Sequence, residues 1–228
     1  MKIRIRKSTL ICIVIIIALI IAIGILAYEL ANTKQNNKKE DKTISTEKQE
    51  LNEDELKDIE KFLNNEENNG FIQCKYNKIE DISDLQWNWI LISASQKIGD
   101  TSNTAIQEYI KLKNEEVLGT PVYKYKSENL INFLKEKTGK QYTIDNLQSI
   151  LPEDIVWNEN KEYCYLSTGE AGYNQVKDLS GYKQSNKYVI NGKYYNLQYD
   201  DNGEKITSFT VTLQKTDTGY VFISNEIK

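Results

Sequence analysis

Hydrophobic and polar positions divide this chain into stretches of different period. The first is an unbroken apolar run from Ser8 to Ala27 without a charged residue. The second, Asn32 to Glu50, is polar throughout except at Ile44. From Asn52 to Ile150 apolar residues recur three and four apart, the spacing of amphipathic helices. From Ile155 onward they alternate with a period of two, the spacing of half-buried strands. Helices first and an antiparallel β-meander last predict an α+β domain.

The apolar run has the length of a membrane span. At about 1.5 Å per residue, a helix over 8–27 matches the roughly 30 Å hydrocarbon core of a bilayer. Lys2, Arg4, Arg6 and Lys7 precede it, and no acid precedes Tyr28. Basic residues flanking a first apolar segment stay in the cytoplasm. The reading is a cytoplasmic tail at 1–7, an N-terminal transmembrane signal anchor at 8–27, a polar linker at 28–50 and an extracytoplasmic domain at 51–228. This places the protein in the cell membrane, single-pass, with its C-terminal domain outside. The tail is too short to fold, which excludes a cytoplasmic catalytic or sensor domain on this part of the chain. A cleaved signal peptide has a shorter apolar core, about 7–15 residues, followed by a small-x-small site. Here Ala22-Ile23-Gly24 lies inside the run, and Glu29 stands where Ala27 to Ala31 would need a small residue. Cys12 follows Ile11 rather than a small residue, so it reads as one more apolar position rather than a lipid attachment site.

Within 51–228, Asn52 and Glu55 form a capping-box pattern before Leu56, Ile59, Phe62 and Leu63. Asn68-Asn69-Gly70 reads as the stop of that helix, and Phe71 to Tyr76 as a short extended or irregular piece. A helix over Ile82 to Ala94 starts at Asp81 or Ser83 and sends Trp87 and Trp89 to the core. A third runs from Ala105 to Leu118 and ends at Gly119-Thr120-Pro121. Ser127 caps a fourth, which stops at Gly139, and Thr143 starts a short fifth through Ile150. Val156–Trp157 and Tyr163–Leu166 are strands. Asn191-Gly192 is read as a hairpin turn between Tyr188–Ile190 and Lys193–Tyr199. Asp200-Asp201-Asn202-Gly203 turns the chain again, and Ile206–Lys215 and Tyr220–Ile227 close the sheet around Thr216 to Gly219.

Composition narrows the chemistry. The absence of histidine removes Ser-His-Asp and Cys-His catalysis and histidine metal or haem ligation. Residues 28–228 hold 25 bases against 33 acids, a net charge of −8, which disfavours nucleic acid and anionic lipid as partners. Cys74 and Cys164 are too few for a structural zinc site but could form one disulfide. Ser180-Gly181-Tyr182-Lys183 and Lys137-Thr138-Gly139 match motifs of penicillin-binding enzymes, but in reversed order. Asp200 to Glu204 lacks the twelve-residue EF-hand pattern and is explained by a turn. No cofactor is implied. Glu159, Glu162 and Glu170 could supply an acid and a base, although no spacing singles them out. Tyrosines crowd the C-terminal half. Tyr194 and Tyr195 are adjacent on a strand and must face opposite ways, so one of them is a candidate binding surface for an envelope protein or glycan. The last strand could also leave an edge for a partner.

Asn69-Gly70-Phe71 after an amphipathic helix, the helix end Leu134-x-x-x-x-Gly139, and Phe209-Thr210-Val211-Thr212-Leu213 through Gly219 to Asn225 together resemble an uncharacterised group of membrane-anchored extracytoplasmic domains of clostridia and related Firmicutes. The resemblance extends over most of 51–228 and is strongest in the last two strands. Tyr163 to Gly169 departs from the acidic, Tyr-rich stretch of that group. The resemblance implies location and fold type, since the group supplies no activity to transfer. The architecture is also similar to assembly-factor ectodomains of type IV secretion systems, which have a cystatin-like cone fold; fold alone does not fix function. The expected function is a membrane-anchored binding or scaffold module, with a carboxylate-dependent cell-envelope hydrolase as the alternative.

Overall fold

The computed structural model describes residues 47–114, 119–169, 174–196 and 205–228. The expected anchor at 8–27, the expected turn at 200–203 and Glu170 lie outside them. Among the described residues no helix is long and apolar enough to cross a membrane. These residues form an α+β domain with helices α1 (Glu53–Leu63), α2 (Asn69–Gln73), α3 (Asp84–Ile98), α4 (Asn103–Lys113), α5 (Ser127–Thr138) and α6 (Ile144–Ile150). A five-stranded antiparallel sheet has the order β1-β6-β7-β8-β9, from Gln49–Glu50, Asn174–Gln184, Lys187–Asn196, Lys205–Thr216 and Gly219–Ile227. A four-stranded antiparallel sheet has the order β2-β3-β5-β4, from Gly99–Asp100, Val122–Lys126, Tyr163–Ser167 and Val156–Trp157. The expected C-terminal meander is present as β6 to β9.

Side-chain caps set several helix starts. Asn52 Oδ1 accepts from the Glu55 N–H at 2.9 Å, and Glu55 Oε2 accepts from the Asn52 N–H at 3.2 Å, so two orphan donors are satisfied. Gln86 Oε1 accepts from the Ser83 N–H at 3.0 Å, which selects Ser83 over Asp81 as the start of α3. Two expected ends differ. α4 stops at Lys113, earlier than Gly119, because Asn114 takes the left-handed conformation with φ 56°. Ser127 lies inside α5 rather than capping it, and its hydroxyl donates to the Lys161 carbonyl at 2.6 Å. Trp87 is buried as expected, but Trp89 is 37% exposed beside Leu85, which is 69% exposed. Two residues along a helix point to nearly opposite sides, so one tryptophan in the core places the other outside.

Both sides of the five-stranded sheet are partly covered. The linker was expected to run to residue 50, yet Gln49 and Glu50 pair with Lys183 and Tyr182 on β6. Lys48 places its ammonium 4.4 Å from the Tyr182 ring centre. Further along β6, the Asn64 amide stands in for a neighbouring strand. Its Nδ2 donates to the Val176 carbonyl at 3.0 Å and its Oδ1 accepts from the Val176 N–H at 2.8 Å. On β9, the Tyr76 and Asn225 backbones exchange two bonds of 2.9 Å. The edge expected to be open for a partner is therefore occupied at Asn225, while no other residue of β9 is paired on that side among the described residues.

Two glycines read as turn or stop signals serve close packing instead. Asn191 and Gly192 lie within the continuous strand β7, and the turn falls at Ser185-Asn186, where Ser185 has φ 59°. Gly192 sits opposite Phe209, and a Cβ there would lie 2.7 Å from the Phe209 ring and 2.5 Å from Leu179 Cδ2. Asn68-Asn69-Gly70 likewise does not stop α1, which ends at Leu63 with Asn64 as C-cap. Residues 66–68 form a 3₁₀ turn and lead into α2, whose Gly70 presses on the α3 backbone. A Cβ on Gly70 would lie 2.4 Å from Ile90 Cα. On its other side Phe71 stacks on Phe222, with centroids 4.7 Å apart and planes at 9°. Asn225, fully buried, donates from Nδ2 to the Ile72 and Cys74 carbonyls at 2.8 Å each and to Phe71 at 3.4 Å.

One continuous core joins both sheets to the helices, with Tyr125, Cys164 and Leu166 from one sheet and Ile190, Val211 and Phe222 from the other. The Tyr125 hydroxyl donates to the Leu91 carbonyl at 2.8 Å, tying β3 to α3. Because Gly70 meets backbone rather than a movable side chain, Gly70→Ala is expected to destabilise the domain by about 3 kcal/mol. Gly169 has nothing within 4 Å of its Cβ position, and Gly169→Ala should stay within about 0.5 kcal/mol of the parent. Urea unfolding midpoints measure both, and equal midpoints would contradict the close approach.

Candidate functional site

The outer face of the four-stranded sheet brings charged and aromatic side chains together beside a cleft. In β3 and β5, period two sends Tyr123, Tyr125, Cys164 and Leu166 into the main core. It sends Val122, Lys124, Tyr163 and Tyr165 to the opposite face. α4 lies on that face. Ala105 and Tyr109, one helical turn apart, are buried, and Tyr109 packs with Val122 and Tyr165 in a small second core. Glu108, Lys111 and Leu112, again three and four apart, lie beside it. They border a cleft of about 680 Å³, whose remaining walls come from Lys124, the loop 158–160, Tyr163 and Tyr165.

Charges in this cleft are largely committed to one another. Glu108 Oε2 accepts from Lys124 Nζ at 2.6 Å and from the Tyr165 hydroxyl at 2.8 Å. The Lys124 ammonium also lies 4.2 Å from the Tyr163 ring centre and 5.8 Å from that of Tyr165. The hydrogen bond from Lys124, followed by that from Tyr165, holds the Glu108 carboxyl below its ordinary range. Burial, then the bond to Glu108, pushes the Tyr165 hydroxyl up. Asn158 Oδ1 accepts from the Tyr163 N–H at 2.9 Å, and Asn160 Oδ1 from the Glu162 N–H at 3.1 Å, so the loop is braced against β5.

The residues expected to matter from the sequence are dispersed. Tyr194 turns inward, its ring centre 6.5 Å from that of Phe209. Tyr195 turns outward, where its hydroxyl donates to Asp178 Oδ2 at 3.1 Å and Lys177 lies 5.4 Å from its ring centre. The two faces of the sheet separate them, so they do not share one surface. Of the candidate carboxylates, Glu159 lines the cleft and Glu162 is outside its lining. Cys74 and Cys164 are buried free thiols rather than a bridge. Burial pushes both up to about 12, and the Cys74 thiol points to the Gln86 carbonyl at 3.5 Å. The penicillin-binding motifs are taken up by structure. Lys183 pairs with Glu55 at 2.5 Å, Lys137 pairs with Glu136 and Glu67, and Thr138 donates to its own helix. No group of three or more Cys, Asp or Glu among the described residues could hold a metal ion.

Sequence reasoning missed Glu108, Lys124 and Asn158. The signal it passed over was Val122-Tyr123-Lys124-Tyr125-Lys126, whose alternation marks a strand with one charged and one aromatic face. No protein-family model, curated protein or solved structure matches the chain.

NMR titration of Glu108 should give a midpoint below the ordinary value of 4.5, and Lys124→Met should raise it. The folded carboxyl is depressed, so the pair's stabilisation is present above pH 4.5 and is lost as pH falls through the folded midpoint. An unchanged midpoint in the variant would remove Lys124 as the cause. Both thiols of residues 47–228 should resist alkylation in the native protein and react fully once unfolded. Loss of both from the labelled unfolded chain would indicate a bridge.

Proposed function

We propose that the chain is a membrane-anchored, single-pass extracytoplasmic binding module. It holds an envelope protein or glycan in the cleft between α4 and the four-stranded sheet, without catalytic turnover. The anchor rests on the sequence alone: basic residues at 2–7, then an apolar run long enough to span. The observation that carries the binding reading is the Lys124–Glu108–Tyr165 cluster. It fixes a tyrosine-lined wall beside a concave site, and a pocket with a few fixed polar groups is the default place for a ligand.

The second reading is a carboxylate hydrolase, because Glu108 and Glu159 line the same cleft. A general acid at neutral pH needs a raised carboxyl pKa, whereas Glu108 is lowered. A lowered carboxyl is unsuited only to the acid role, and the commitment of Glu108 Oε2 to Lys124 and Tyr165 is what favours recognition over a base or nucleophile role. Protease applied to intact cells should remove the folded domain, and full protection would overturn the orientation. A photo-crosslinking residue placed at Lys111 should capture an envelope component that is lost on Tyr163→Ala. Turnover of cell-wall polymer by the purified protein, abolished in Glu159→Gln, would replace the binding reading with the hydrolase.

A further inference from the structure

We infer that the seat of α2 against α3 is a site for an interior water molecule, held by Asn68, Asn69 and Ser93. The 66–68 turn and α2 run antiparallel to α3, and three contacts set the register. Glu67 meets the Lys97 ammonium at 3.8 Å, a Cβ on Gly70 would lie 2.4 Å from Ile90 Cα, and the Cys74 thiol points to the Gln86 carbonyl at 3.5 Å. Residues 86, 90, 93 and 97 are spaced three and four apart, so Ser93 lies on the stripe of α3 that meets this segment. Opposite it, between the contacts made by Glu67 and Gly70, stand Asn68 and Asn69.

All three residues are more than nine-tenths buried, with exposures of 0% for Asn68, 5% for Asn69 and 2% for Ser93. Asn68 Nδ2 donates to the Phe62 carbonyl at 2.7 Å, which fixes that amide and identifies its Oδ1. Asn68 Oδ1, Asn69 Oδ1 and Ser93 Oγ have no hydrogen-bonding partner among the described residues. Leaving them so would cost about 1–3 kcal/mol each, a large part of the roughly 5–15 kcal/mol that stabilises a domain. Pairing among themselves could satisfy only one amide oxygen, because the Ser93 hydroxyl has a single proton and both amide oxygens only accept. A water supplies the complement: two protons for the amide oxygens and a lone pair for the hydroxyl. Three protein partners are the usual set for an interior water. A monovalent cation fits less well, since it would meet three oxygens but leave the hydroxyl proton unpaired.

The test uses the full-length chain. Oxygen-17 relaxation dispersion counts long-lived internal waters without interference from exchanging hydroxyl protons, and water-to-amide NOEs locate them. The parent chain should show NOEs of the sign given by a long-lived water at Asn68, Asn69 and Ser93. A double variant, Asn69→Leu with Ser93→Ala, retains one of the three partners, and its oxygen-17 count should fall by about one. Gly169→Ala, at an open surface position, should leave the count unchanged. A count in the double variant equal to that of the parent would overturn the assignment. Should the double variant fail to fold, the parent's NOEs decide, and their absence from the 68–69 and 93 positions overturns it. A thermal midpoint that rises in sodium or potassium chloride relative to choline chloride at equal ionic strength, and that no longer does so in Ser93→Ala, would replace the water with a cation.

Discussion

The short helix α2 is fixed from three directions, and the rest of the domain depends on that fixation. Gly70 lets its backbone rest on α3, Phe71 stacks on Phe222 of the last strand, and the Asn225 amide donates to the carbonyls of Ile72 and Cys74 at its end. Five residues are too few to hold a helix in water. Their conformation is therefore a product of tertiary contact, and the contact works both ways. Leaving buried carbonyls without Asn225 would cost about 1–3 kcal/mol each, so hydrogen bonds as well as apolar packing hold the last strand to the N-terminal helices.

The same contact closes an edge. Tyr76, just beyond α2, bridges Asn225 on β9, while β1 and the Asn64 amide cover parts of β6. Each side is thus engaged over a short stretch, which shortens the edge left for strand addition. Charged and aromatic side chains converge instead on the outer face of the smaller sheet. There, strand alternation and helical spacing bring Lys124, Tyr163 and Tyr165 together with Glu108.

Two lysine–glutamate clusters show how surroundings divide the same chemistry. Lys137 is 3% exposed, and its ammonium reaches Glu67 at 3.3 Å and Glu136 at 3.2 Å between α5 and the 66–68 turn. A buried ammonium has to be paired, so this cluster fastens elements together. The Lys124–Glu108 pair instead borders an open cleft. The first cluster lies inside the scaffold, and the second lies at its surface.

The order of helices before a meander, the capping box at Asn52, the start of α6 after Thr143 and the last two strands were legible in the sequence. They depend on local periods and on bonds between residues three apart. The opposite facing of Tyr194 and Tyr195 was legible for the same reason. Gly70 and Gly192 were not. A glycine that turns the chain and a glycine that admits a neighbour look identical in one dimension, and only the positions of Ile90 and Phe209 distinguish them. Ser127, Asn64 and Asn225 form bonds to partners far along the chain, beyond the reach of any local pattern. The cleft belongs to the same class. Glu108, Lys124 and Tyr165 each follow a local period, but which faces meet is decided by how α4 lies across β3 and β5, a choice made by burial of Tyr109 against Val122 and Tyr165.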